Sequence, residues 1–192
     1  MNARDLALVA SFAALIYVLG LPGAFYLGSA VPITLQTLGV MLAGAILGWK
    51  RGLLAVGVFL ALATLGLPLV AGGRGGFALW TSPSAGYFAG WLVGVAVIGL
   101  LIQSRHERYS TWWTGVSILI GGVGVVYLLG VPVLVLALGT GTAALVKAAT
   151  FLPGDLIKVV IATVIAAAVH RAFPHLPPGL REPTRQSHVS EL

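Results

Sequence analysis

The chain has 192 residues, of which 58% are hydrophobic and only 8% charged, with a formal net charge of +6. Ordinary globular domains carry roughly 25% charged residues, so a water-facing surface cannot be built from this composition, and the mean hydropathy of +1.01 agrees. With no cysteine, a disulfide framework, a thiolate metal site and a cysteine nucleophile are all excluded.

These figures predict an all-α integral membrane protein with one membrane domain over residues 1–174, because spans of roughly 20 apolar residues with short loops fit about six times into the chain. The first apolar run, residues 6 to 20, breaks at Leu21-Pro22-Gly23. The same stretch, preceded by Arg4 and followed by Gly28-Ser29-Ala30, also has the form of a cleaved signal peptide. A first span explains it equally well in a chain that is apolar throughout. A second run from 32 to 48 is closed by Trp49-Lys50-Arg51-Gly52, and a third from 53 to 67 ends at Gly66-Leu67-Pro68. The glycine-rich stretch Ala71-Gly72-Gly73-Arg74-Gly75-Gly76 leads to a fourth run from 86 to 103, closed by Arg105-His106-Glu107-Arg108. The fifth, 112 to 130, runs into Val131-Pro132. Residues 133 to 152 are interrupted by Gly139-Thr140-Gly141-Thr142 and Lys147 and read as a re-entrant or interfacial segment before the last helix. That sixth helix, 155 to 173, starts after Phe151-Leu152-Pro153-Gly154. Residues 175–192, rich in proline and charge, read as a polar, disordered tail.

In a soluble protein the basic excess would suggest nucleic acid; here it marks orientation, and no nucleic-acid partner is expected. With six spans, Arg4, Lys50, Arg51, Arg105, Arg108, Arg171, Arg181 and Arg185 fall on one side. The positive-inside rule makes that side, and both termini, cytoplasmic in a cell membrane.

On this map Asp5, Glu107, Glu182 and Glu191 are cytoplasmic, which leaves Asp155 as the one acid at the outer end. An ionisable group at membrane depth costs about 3 kcal/mol on insertion scales and is a functional-site hypothesis by default. Lys158, three residues on, shares its helix face. An acceptor-only carboxylate beside a three-donor ammonium suits a small ligand with N–H and C=O groups. The same pair has a structural reading: Asp155 as a first-turn acid at a helix N-terminus, neutralised by Lys158. Lys147 reads as a snorkelling side chain. The four glycines around Arg74 read as a flexible hairpin loop, although glycine also lets backbone N–H groups approach a ligand. Ala3, Ala7 and Ser11 on one row of the first helix, and Ala10 and Ala14 on another, would permit close helix packing.

No phosphate loop is present, so the chain does not hydrolyse ATP by that device. Gly139-Thr140-Gly141-Thr142-Ala143-Ala144 matches a dinucleotide fingerprint by letters only, with no strand–helix–strand context around it. His106, His170, His175 and His188 fall near or in cytoplasmic segments, away from any intramembrane nucleophile, and no His/Asp/Glu cluster offers a metal site. No catalytic residue, cofactor or metal is therefore expected. A self-sufficient secondary transporter or channel and a membrane-embedded enzyme are the rival classes.

Val31-Pro32-Ile33-Thr34-Leu35-Gln36-Thr37-Leu38-Gly39-Val40-Met41, the stretch from Gly66-Leu67-Pro68 to Gly76, and Phe151-Leu152-Pro153-Gly154-Asp155-Leu156-Ile157-Lys158 resemble segments of the BioY family. Members of that family are biotin-specific substrate-binding (S) components of energy-coupling factor transporters, and the likeness runs in order from about residue 5 to 173. The resemblance implies a six-helix S component that binds biotin near the outer face and joins a transmembrane scaffold subunit and two ATPase subunits. It assigns substrate binding to Asp155 and Lys158, then to Gly72, Gly73, Gly75 and Gly76, with Asp155 accepting from the ureido N–H groups and Lys158 donating to a ligand oxygen. Arg74 would meet the carboxylate or cap its own loop, and Ala10 and Ala14 would face the scaffold. The resemblance also assigns substrate binding to Tyr87, which closes a segment, Ser82-Pro83-Ser84-Ala85-Gly86-Tyr87, that departs at two small positions from the G-P-[ST]-G-G-Y of the family.

Overall fold

The computed structural model of the protein describes residues 3–22, 34–105, 110–139 and 141–173, without the side chains of residues 143, 144 and 147. The tail expected at 175–192, Val31-Pro32-Ile33 and the side chain of Lys147 lie outside the described residues. Among the described residues the fold is all-helical, and the isolated bridge between Val70 and Arg74 is its only β-type pairing.

Helix α1, Ala3–Val18, is rich in alanine, the strongest helix former. It buries Val9 and Ile16, two turns apart on one face, and leaves Ala3, Ala7, Ala10, Ser11 and Ala14 exposed on the other. Helix α2, Gln36–Leu42, continues as a π-helical turn over Ala43–Leu47 and meets α3, Gly48–Thr64, at Gly48. Gly48 has φ 77° and ψ −179°, a conformation open to glycine and strained for other residues. There the chain reverses: a Cβ on Gly52 would stand 2.9 Å from the Ala43 carbonyl oxygen, whereas nine residues of straight helix span about 13.5 Å. A loop with a short 3₁₀ turn, Phe77–Leu79, leads to α4, Ala85–Gln103. Helix α5, Thr111–Ile118, is capped by the Ser110 hydroxyl, which accepts from the Trp113 N–H at 3.3 Å. It runs through a second π segment, Leu119–Val125, into α6, Val126–Leu138. After Gly139 comes α7, Gly141–Ala172.

Among the described residues, four helical stretches are long and apolar enough to cross a membrane: Gln36–Thr64, Ala85–Gln103, Thr111–Leu138 and Ala148–Ala172. The segment 133–152, expected as a separate re-entrant or interfacial piece, is divided between two helices instead. Residues 133–138 complete α6 and residues 141–152 open α7, with Pro132 and Pro153 inside their helices. Proline is a helix breaker by local chemistry, but in apolar surroundings leaving the helix would strand backbone polar groups, so the helix continues through it.

Helix α4 is the central element. Its glycines 86, 90 and 94 lie one turn apart and abut Leu129, Val126 and Gly121 in that order, so α4 and the 121–129 stretch pack antiparallel with backbones nearly touching. Further along, a Cβ on Gly99 would fall on the backbone of Trp49 and Gly48. Gly99→Ala is expected to cost about 1–3 kcal/mol by overpacking, read as a lower midpoint of thermal unfolding in detergent. An unchanged midpoint would mean that the Gly48 turn can shift freely.

The Gly48 turn also marks one end of the bundle. Asp5 pairs with Arg51 at 2.7 Å, joining the starts of α1 and α3. The Arg105 guanidinium lies 4.2 Å from the centroid of Trp113, whose indole N–H donates to the Leu101 carbonyl at 2.7 Å. Arg4, Lys50, Arg51 and Arg105 therefore gather at that end, away from Arg74 in the loop between α3 and α4.

Candidate functional site

At the opposite end the helices part around an open cavity, about 550 Å³ when the space out to its mouth is counted. Its floor is aromatic: Phe88 and Trp91 pack edge to face at 5.3 Å, with Val126 and Phe151 completing the apolar wall. Asp155 and Lys158 enter from α7.

Both groups are buried, Asp155 at 8% and Lys158 at 5% exposure. The Lys158 ammonium donates to Asp155 Oδ1 at 2.8 Å and to the Thr37 hydroxyl at 2.9 Å, while the Tyr127 hydroxyl donates to Asp155 Oδ2 at 2.7 Å. Asp155 lies well inside α7, which begins at Gly141, so no helix N-terminus holds it and the first-turn reading falls away. The pair is locked together and also faces the cavity. An ionised carboxylate offers about four acceptor positions and an ammonium three donors. Two positions on Asp155 and one donor on Lys158 remain for a ligand.

Three more buried polar atoms line the same space without a hydrogen-bond partner among the described residues: Ser84 Oγ, Tyr87 OH and Trp91 Nε1. They recur along one face of α4 and the turn before it, at 3%, 8% and 4% exposure. Stranding a buried polar group costs about 1–3 kcal/mol, so three of them facing one cavity describe a surface awaiting polar ligand atoms or water.

The loop between α3 and α4 covers one side. Val70 and Arg74 exchange backbone hydrogen bonds of 3.0 Å around Gly72 and Gly73, whose φ values of 81° and 71° close the turn. Gly75 lies against the Leu67 carbonyl, and the Gly76 N–H donates to the Ala63 carbonyl at 2.7 Å. Val70 and Arg74 line the cavity, whereas Gly72, Gly73, Gly75 and Gly76 are not among the lining residues and instead shape the turn. Asp155, Lys158, Arg74 and Tyr87 thus line one cavity. Ala10 and Ala14 lie elsewhere, on the exposed face of α1.

Sequence reasoning missed Tyr127, Thr37, Gln36, Ser84 and Trp91 as part of this site. A usable signal existed for Tyr127, the one tyrosine in the run 112–138 and an amphipathic ring that needs a partner when buried. Thr37 and Gln36 stood inside the quoted segment 31–41, where nothing local connects them to a residue 121 positions away.

A helical membrane fold around a mostly apolar cavity, with a few convergent polar groups, defines a membrane-embedded receptor for a small polar ligand. The chain belongs to the BioY family, whose model matches residues 1–175. It is 44% identical over 184 residues to the biotin transporter BioY of Rhizobium etli, covering 92% of this chain and 98% of that one. It is 41% identical over 181 residues to the biotin transporter BioY of Rhodobacter capsulatus, covering 89% and 95%. The crystal structure of an S-component for biotin from an ECF-type ABC transporter superposes with a TM-score of 0.84 at 33% identity, over 89% of this chain and 95% of that one.

Proposed function

We propose that this chain is the biotin-binding S component of an ECF-type transporter that mediates biotin uptake. The observation that carries the reading is the buried Asp155–Lys158 pair, with free hydrogen-bonding capacity turned into an apolar cavity. Biotin offers what that site lacks: a fused ring with two N–H donors and a carbonyl, and an apolar chain ending in a carboxylate. Asp155 accepts from the ureido N–H groups, Lys158 donates to a ligand oxygen, and Arg74 meets the carboxylate at the mouth. Ser84, Tyr87 and Trp91 supply further polar contacts along α4.

Six crossings are proposed: α1, the two arms of the hairpin at Gly48, α4, the Thr111–Leu138 stretch and α7. The gathering of Arg4, Lys50, Arg51 and Arg105 at one end supports a cytoplasmic location for that end and for both termini. The cavity then opens toward the outside. The exposed alanine face of α1, with Ala10 and Ala14 at its centre, is the proposed seat of the transmembrane scaffold subunit, to which two ATPase subunits supply the energy.

A thermal-shift panel on the detergent-purified chain tests the ligand. A ligand at a hundred times its dissociation constant stabilises by about 2.7 kcal/mol, so biotin is expected to raise the unfolding midpoint while thiamine and riboflavin leave it unchanged. Equal shifts with all three, or none with biotin, would remove biotin as the substrate.

A further inference from the structure

Gln36 is fully buried and lies at the first turn of α2, one residue before Thr37. Its side-chain amide is spent on the protein. Nε2 donates to the Ile16 carbonyl at 3.3 Å and to the Leu69 carbonyl at 3.0 Å, and Oε1 accepts from the Ala71 N–H at 2.9 Å. One amide group therefore joins three separate pieces of chain: the last turns of α1, the start of α2, and the loop that covers the cavity.

The connection continues in both directions. Ala71, held through its N–H by Gln36, uses its carbonyl to accept from Arg74 Nε at 3.3 Å. The same peptide neighbourhood carries the Val70–Arg74 bridge, and both of those residues line the cavity. On the other side, Thr37 accepts from the Lys158 ammonium at 2.9 Å. The positions of Arg74 and of the ion pair, which both line the cavity, are thus set from adjacent residues of a single helical turn. Such an amide has no interchangeable substitute: an apolar side chain of the same size would leave two carbonyls and one N–H buried without partners.

We infer that Gln36 is a positioning residue that latches the 69–76 loop, with Arg74, over the cavity and ties it to the end of α1, so that it sets how long a bound ligand is retained. The inference deepens the proposed function and rests on it for the identity of the ligand. Gln36 borders the cavity, but its amide nitrogen and oxygen are bonded to the protein, so loss of the latch acts through the loop and its effect falls mainly on dissociation, where most affinity differences within one site arise.

The test has two arms on the full chain in detergent. In the first, without ligand, amide hydrogen exchange is followed at Ala71 and Arg74. Gln36→Leu is expected to speed exchange at both at least about tenfold while α4 stays protected as in the wild type. In the second, biotin dissociation from Gln36→Leu is expected to be at least about tenfold faster, with the association rate within about threefold. Gly20→Ala gives an independent variant that keeps the glutamine: a Cβ there would stand 2.7 Å from Gln36 Nε2 and 2.8 Å from its Cδ, displacing the amide. It is expected to change both readouts in the same direction. If both variants keep wild-type exchange at Ala71 and wild-type biotin dissociation, or lose protection throughout α4 with dissociation unchanged, the latch is refuted. If the wild type fails to bind biotin, the functional reading fails, and the exchange arm alone still decides whether Gln36 latches the loop.

Discussion

Asp155→Asn is expected to weaken biotin binding at least about a hundredfold while the protein still inserts, purifies and melts cooperatively. Removing one partner of a buried ion pair costs about 3–5 kcal/mol because the other charge is left uncompensated, and a hundredfold in affinity is about 2.8 kcal/mol. The substitution keeps the size of the side chain, so its effect is on charge. Asparagine at 155 could still accept from Tyr127, but it would place an N–H₂ where the ureido N–H groups are to be received, so donor would meet donor. Lys158→Ala is expected to reach a similar loss by the opposite route, leaving the buried Asp155 carboxylate without its counter-charge. Equilibrium binding to the purified variants checks both. If affinity stays within threefold of the wild type, the pair is a structural fastening and recognition lies elsewhere.

The second large effect is expected on the far face of α1. Ala10 and Ala14 are exposed one turn apart, and a face of small residues in a membrane helix allows another helix to approach closely. Replacing both with leucine adds bulk to that face alone, because the buried side of α1 is carried by Val9 and Ile16. Overpacking of about 2 kcal/mol, the middle of the usual range, corresponds to roughly thirtyfold in association. The double variant is therefore expected to bind biotin normally and to lose at least about nine-tenths of the scaffold subunit that co-purifies with the wild type. Unchanged co-purification would place the scaffold on another face.

How much of this could be read from the chain follows from what the bilayer demands. Long apolar runs were legible because hydrocarbon demands them, and the break at Gly66 falls two residues past the end of α3; the break expected at 49–52 falls inside α3, because the chain reverses earlier, at Gly48. Asp155 stood out in the sequence as an acid at the start of an apolar run, and the structure buries it against Lys158 and Tyr127. The prolines misled. Pro132 and Pro153 look like helix stops by local chemistry, but the chain keeps its backbone bonds by staying helical. The two π segments, Ala43–Leu47 and Leu119–Val125, had no sequence signal and flank α4 where glycines bring backbones together. The glycines around Arg74 supported two readings, and positive φ at Gly72, Gly73 and Gly76 gives them a conformational task. Tyr127 and Thr37 reach Asp155 and Lys158 only through tertiary packing, across 28 and 121 positions. No periodicity within a single helix reveals such a meeting.

The account turns on where the ureido ring sits, and a structure of the protein determined with biotin bound tests that directly. The ring nitrogens are expected within hydrogen-bond distance of the Asp155 carboxylate, with Tyr127 still donating to it and the carboxylate end of the ligand beneath Arg74. Biotin seated with its ring away from Asp155, or bound on another surface of the bundle, would contradict it.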